Sequence, residues 1–123
     1  MMRVIVDTNA LILPFSHGLN ISSELRRLVG EHEIVVPEPL LGELKKLASS
    51  DKNAKAALSL AMKCRIAKTN KSGDESVLEL AEVLGGVILS NDREIIGRAR
   101  ANHIKIIRLK EGCHLEFDNE WAD

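Results

Sequence analysis

Val4-Ile5-Val6-Asp7-Thr8-Asn9-Ala10-Leu11 is the stretch from which the fold can be read. Arg3 to Val6 is a short apolar run of mostly β-branched residues, the signature of a buried strand. Asp7-Thr8-Asn9 stops it. Ala10 to Leu13 then begin a helix that Pro14 is expected to interrupt or end. The same alternation continues outward. Ser22, Leu25, Leu28 and Val29 have helical spacing, and Gly30 closes that helix. Glu33 to Val36 reads as the second strand. Pro37 and Pro39 mark a helix reaching about Ala48, and Ser50-Asp51 cap another from about Lys52 to Lys63. Arg65 to Lys68 reads as a weak third strand. Ser72 with Glu75 forms a capping box that opens a helix to about Leu84. Val87 to Ser90 is the fourth strand. Asn91 with Glu94 resembles a further cap, for a helix ending near Asn102. Ile104 to Arg108 is the fifth strand, and Leu109 to Asp118 are expected to add an edge strand or hairpin. Strands alternating with helices imply an α/β protein, a parallel sheet covered on both faces.

At 123 residues, 45% of them hydrophobic, the chain suits one domain spanning 1–123 with a core that needs no metal or disulfide to form. No apolar run reaches the roughly 18 residues of a membrane span, and Asp7 cuts the first one too short for a signal peptide. Cys64 and Cys113 fit no metal or redox spacing and read as reduced thiols of a cytoplasmic protein. A net charge of −1 argues against nucleic-acid binding by bulk charge. The aromatics are Phe15, Phe117 and Trp121 alone, which excludes a base-stacking platform.

Most of the 18 acidic residues are expected to be solvated, but four are placed otherwise. With about 100° per helical residue and Val77 at the origin, Leu80, Ala81 and Leu84 define an apolar face, and Asp74 falls at about 60°, within that arc. Glu75, Glu79 and Glu82 fall on the opposite side. On the next helix Asp92 points with Ile95, Ile96 and Ala99. Glu43 flanks the stripe formed by Leu40, Leu44 and Leu47, and Asp7 directly follows the first strand. Asp7 and Asp92 thus lie at the carboxyl ends of strands, the edge where open parallel sheets bind ligands. Each acid singly also has an ordinary reading, as a helix cap, a first-turn charge or a solvated flank. Together they would repel by about 4 kcal/mol per pair at 4 Å and an effective dielectric of 20, which a divalent cation relieves.

The chain resembles the PIN-domain family of metal-dependent ribonucleases. The matching stretches are Val4 to Leu11, Val36-Pro37 through Leu41-Gly42-Glu43-Leu44, Gly73-Asp74-Glu75-Ser76-Val77-Leu78, and Leu89-Ser90-Asn91-Asp92-Arg93-Glu94. The resemblance implies a three-layer α/β/α fold with a five-stranded parallel sheet in the order 3-2-1-4-5. It implies that Asp7, Glu43, Asp74 and Asp92 hold one or two Mg²⁺ or Mn²⁺ ions for hydrolysis of RNA. Asn9, Ser90 and Thr8 would orient those acids from behind. Glu75 would reach the site through water, and Glu38 competes weakly with Glu43. The family includes toxins held by an antitoxin, ribosomal-RNA-processing nucleases with ribosome-assembly partners, and inactive RNA-binding scaffolds. It also includes homodimers, for which Leu58, Leu60, Ala61 and Met62 offer an apolar stretch.

Charge is unevenly spread. Between Leu44 and Lys71, eight basic residues face Asp51 alone, and between Arg93 and Lys110 six face Glu94 alone. These segments are expected to meet a phosphate backbone, with Arg93 as the best single contact because it follows Asp92. His17 reads as a surface residue. A phosphoacceptor receiver domain has a similar length and element order. It would need paired acids after the first strand and a Lys ending the fifth, whereas Asp7 stands alone and Lys110 is misplaced.

Overall fold

The computed structural model describes residues 1–110 and 114–118. Cys113, Trp121 and the acidic tail beyond Asp118 lie outside the described residues. The chain opens with β1 (Met2–Val6), whose last three residues are buried, and passes into α1 (Thr8–Ser16). Asp7 caps that helix, its Oδ1 accepting the Ala10 N–H at 2.8 Å. Pro14 does not end α1, which runs two residues beyond it. The bond lost at Pro14 falls in the last turn, where few intrahelical bonds remain to be broken.

Then follow α2 (Ile21–Val29), β2 (His32–Pro37), α3 (Glu38–Ala48), α4 (Lys52–Ala61) and β3 (Arg65–Ala67). Gly30 closes α2 at φ 74°, and Asp51 caps α4 by accepting from Asn53 N and Ala54 N. Next come α5 (Gly73–Leu84) and β4 (Val87–Leu89), then α6 (Arg93–Ala101), β5 (Ile106–Lys110) and β6 (His114–Phe117).

Two expected caps are replaced. No capping box forms on α5: Ser72 makes no side-chain cap bond, because Gly73 enters at φ 57° and Glu75 is drawn to Arg98 instead. Helix α6 is capped by Asp92, which accepts from Glu94 N and Ile95 N, and not by Asn91. The Asn91 amide is occupied elsewhere. It accepts from Leu109 N at 2.7 Å and donates to Leu109 O at 3.3 Å, bracing the end of β4 against β5.

The strands form one sheet in the order β3-β2-β1-β4-β5-β6. β1 to β5 pair in parallel, and β6 adds an antiparallel sixth strand beyond the five-stranded order implied by the resemblance. Close packing of β1 and β4 depends on Gly86, where a Cβ would lie 2.4 Å from the Arg3 carbonyl oxygen.

Residues alternate between two cores. One face, with Val4, Val6, Leu89 and Ile107, packs against Leu11, Leu25, Leu44, Ala57 and Ala61 of α1 to α4. The other, with Ile5, Val35, Ile88 and Ile106, packs against Leu40 of α3 and the apolar faces of α5 and α6. Each fully buried Leu or Ile stabilises the fold by about 1.5–3 kcal/mol. α3 feeds both cores, Leu40 on one side and Leu44 on the other, and Glu43 flanks that stripe. In the stretch expected as a dimer face, Ala61 is fully buried and Leu58 and Leu60 pack on the core, leaving Met62 exposed.

The outer edge of β6 is occupied by side chains of α2. Leu115 N donates to Glu24 Oε1 at 2.9 Å, and Arg27 Nη2 donates to Leu115 O at 2.6 Å. Just beyond β6, the buried Asp118 accepts from Arg100 Nε and Nη2 at 2.7 and 2.9 Å and lies 3.6 Å from Arg108 Nη1. Among the described residues no helix is long and apolar enough to cross a membrane.

Candidate functional site

At the carboxyl edge of the sheet lies a cleft of about 250 Å³ lined by Asp7, Thr8, Asn9, Leu40, Glu43, Leu47, Asp74, Val77 and Asp92. All four singled-out acids line it, and each arrives from a different place. Asp7 comes from the β1–α1 junction, Glu43 from the middle of α3, Asp74 from the first turn of α5, and Asp92 from the cap of α6.

Asp7 is the innermost, with 7% of its surface exposed. Its Oδ2 accepts from the buried Ser90 hydroxyl at 2.5 Å, while Oδ1 caps α1. The same Ser90 oxygen accepts from Asp92 N at 3.0 Å. Ser90 therefore touches the Asp7 carboxylate and the Asp92 backbone at once. Thr8 donates to Glu43 Oε2 at 2.8 Å and orients that carboxylate across the cleft. Asn9 is exposed on the cleft wall with its amide available.

The electrostatics are those of charges of one sign crowded together. Burial raises the Asp7 carboxyl above its ordinary range, and the nearby Asp92 and Asp74 charges raise it further; the Ser90 and Ala10 hydrogen bonds pull the other way. Asp74 is also raised, by burial first and then by Asp92, Glu94 and Glu43, with Arg98 opposing. Among the described residues, no three acids or histidines are already drawn together at metal-binding spacing. The donor set nevertheless suits a hard divalent cation. It offers four carboxylates under mutual repulsion, with room for several waters in the cleft.

Several residues fall elsewhere. Glu75 turns away from the cleft: its Oε1 accepts from Arg98 Nη2 at 2.5 Å, and its Oε2 lies 4.0 Å from Lys71 Nζ. The expected water-bridged role of Glu75 is thus replaced by an ion pair. Glu38 is exposed in the first turn of α3 and does not line the cleft. Arg93 is exposed at the start of α6, directly after Asp92. His17 is exposed; its ring meets the hydroxyl of its neighbour Ser16, and its backbone N–H closes α1 on Leu13 O. Leu47, assigned to the apolar stripe, is 43% exposed and forms part of the cleft wall with Leu40 and Val77. The sequence reading missed Arg98, which has no motif around it and meets Glu75 only through the packing of α6 on α5.

The comparisons with known proteins agree with this architecture. A family model described as a PIN like domain matches residues 4–112. Ribonuclease VapC4 of Methanocaldococcus jannaschii is 29% identical over 128 residues, covering 95% of this chain and 97% of the relative. Ribonuclease VapC9 of Archaeoglobus fulgidus is 30% identical over 112 residues, covering 87% and 82%. The PIN domain endonuclease Utp24 superposes with a TM-score of 0.78 at 17% identity, over 94% of this chain and 90% of that one. VapBC2 of Rickettsia felis, solved bound to a promoter DNA fragment, superposes at 0.61 with 12% identity, over 89% and 100%. The family model spans nearly all of the chain, from β1 past β5, and with it every acid of the cleft: the chain belongs to the PIN-like domain family.

Proposed function

We propose that this protein is a metal-dependent ribonuclease that hydrolyses RNA phosphodiester bonds at the acidic cleft. One observation carries the reading: Asp7, Glu43, Asp74 and Asp92 reach a single cleft from four separate elements, at the ligand-binding edge of a parallel sheet. Helix capping explains Asp7 and Asp92 in part, but it gives no reason for Glu43 and Asp74 to join them. The relatives named ribonucleases VapC4 and VapC9 support RNA as the substrate.

Asp7, Glu43, Asp74 and Asp92 would hold Mg²⁺ or Mn²⁺. When bound, such an ion lowers the pKa of water and offsets the charge that builds on the phosphoryl oxygens. The protein supplies the rest. Ser90 and the Ala10 N–H fix Asp7, and Thr8 holds Glu43. Arg93 is exposed directly after Asp92 and would meet a strand's phosphate, and Asn9 lines the cleft with an exposed side chain. Hydrolysis adds water across one P–O bond, and no side chain has to form a covalent intermediate.

The VapC-named relatives favour a toxin held in check by an antitoxin over an rRNA-processing role. Neither role requires membrane attachment. Purified Asp7→Asn and Asp92→Asn variants are expected to lose Mn²⁺-dependent RNA cleavage while keeping a native circular dichroism spectrum. Undiminished cleavage by both would sink the proposal, and a wild-type chain that binds RNA without cutting it would favour a silent RNA-binding scaffold.

A further inference from the structure

Beside the acidic cleft stands an ion pair that the proposed chemistry does not use. Arg98, on α6, donates to Glu75 on α5, and Glu75 is the immediate neighbour of Asp74. Both partners are substantially exposed, at 39% and 46% of the side chain. A pair so exposed is screened by solvent and stabilises a fold little, so adhesion between α5 and α6 is a poor account of it. Its placement is more informative. Arg98 is hydrogen-bonded to Glu75 and lies close enough to feel the charges of Asp74 and, four residues back on its own helix, Glu94. Asp74 lines the cleft, Glu94 lies near its Asp92 end, and only Glu75 draws the guanidinium away from it.

We propose that Glu75 is a positioning residue, a tether that holds Arg98 off the Asp74 carboxylate and so leaves Asp74 free to hold a cation. This rests on the metal-site reading above and deepens it. A guanidinium and a divalent ion compete for the same carboxylate oxygens, and a bidentate arginine would occupy both of them. Lys71, at 4.0 Å from the other Glu75 oxygen, is kept on the same side. In this arrangement Glu75 touches neither ion nor substrate and acts through Arg98 alone.

The test is Mn²⁺ affinity, measured by calorimetry on the metal-free full chain, with circular dichroism melting of each variant. Glu75→Gln should bind Mn²⁺ about tenfold more weakly than wild type, a change of ~1.4 kcal/mol. Adding Arg98→Met to Glu75→Gln should restore wild-type affinity, and Arg98→Met alone should bind Mn²⁺ as tightly as wild type or more so. A merely structural pair would not be rescued by deleting its second member. Unchanged affinity in Glu75→Gln overturns the tether, as does a loss that Arg98→Met fails to repair. If Glu75→Gln does not fold, weaker binding by Arg98→Met alone overturns it as well. A wild-type chain that binds no Mn²⁺ overturns the metal-site reading itself, so the two failures are distinguishable.

Discussion

Asp7 uses its two oxygens differently, one to cap a helix and one to meet Ser90, and this makes it separable by substitution. Asparagine keeps an oxygen for the cap, so Asp7→Asn should melt close to wild type, whereas Asp7→Ala should lose about 1 kcal/mol through the cap alone. Ser90 has no such spare. Removing its hydroxyl leaves the buried Asp7 Oδ2 and the part-buried Asp92 N–H each short of a partner. Ser90→Ala is expected to destabilise by about 1–3 kcal/mol in urea unfolding. At this scale much was legible in the sequence. Asp7 and Asp92 are located by the strand ends before them, and Asp74 by its phase on an apolar helix. Glu75 was not legible, because its partner Arg98 is 23 residues away and only tertiary packing brings the two together.

The helices were readable where one residue decides the boundary. Gly30, Gly85 and Asp51 each stand where a helix must stop or start, and the structure uses them so. The errors arose where two residues compete for one role. Asn91 and Asp92 both suit a cap, and the choice depends on Leu109 of β5, which engages the Asn91 amide at both ends. β6 depends on a pairing with β5 across residues of weak pattern, so only its existence as an edge was foreseeable. Two glycines make a test at this scale. At Gly86 a Cβ would meet the Arg3 carbonyl oxygen at 2.4 Å and Ile5 Cδ1 at 2.8 Å, so Gly86→Ala must push β1 and β4 apart. It is expected to lose about 2–3 kcal/mol or more in thermal or urea unfolding. Gly97, inside α6, has open space around it, and Gly97→Ala should gain about 0.5–1 kcal/mol by helix propensity. Equal effects of the two would contradict the packing described for β1 and β4.

At the scale of the whole molecule, Asp118 on one side and Asp7 and Asp74 on the other have opposite pH behaviour. Asp118 is held below the ordinary carboxylate range, first by its hydrogen bonds from Arg100 and then by the Arg100 and Arg108 charges. Its stabilising contribution is complete above the unfolded pKa of about 3.9 and disappears as pH falls through the folded value. Asp7 and Asp74 are raised, chiefly by burial, so their ionisation opposes folding as pH rises above that same range. Metal-free protein should therefore lose stability as pH rises from about 3.9 through the raised folded values, at constant ionic strength. Asp7→Asn and Asp74→Asn should flatten that decline, and a decline of unchanged size in both would refute the assignment. Mn²⁺ should reverse the effect at neutral pH, by about 2.7 kcal/mol at a hundredfold excess over its Kd, in wild type but not in Asp7→Asn.

The sheet's two outer strands differ in a way that bears on self-association. An unpaired strand edge is a template for another chain, and proteins blunt such edges with charge or cover. At β6 the Leu115 amide and carbonyl are already taken by Glu24 and Arg27, so an incoming strand finds those groups spent. Double replacement of Glu24 and Arg27 by alanine would hand them back, turning a closed margin into a sticky one.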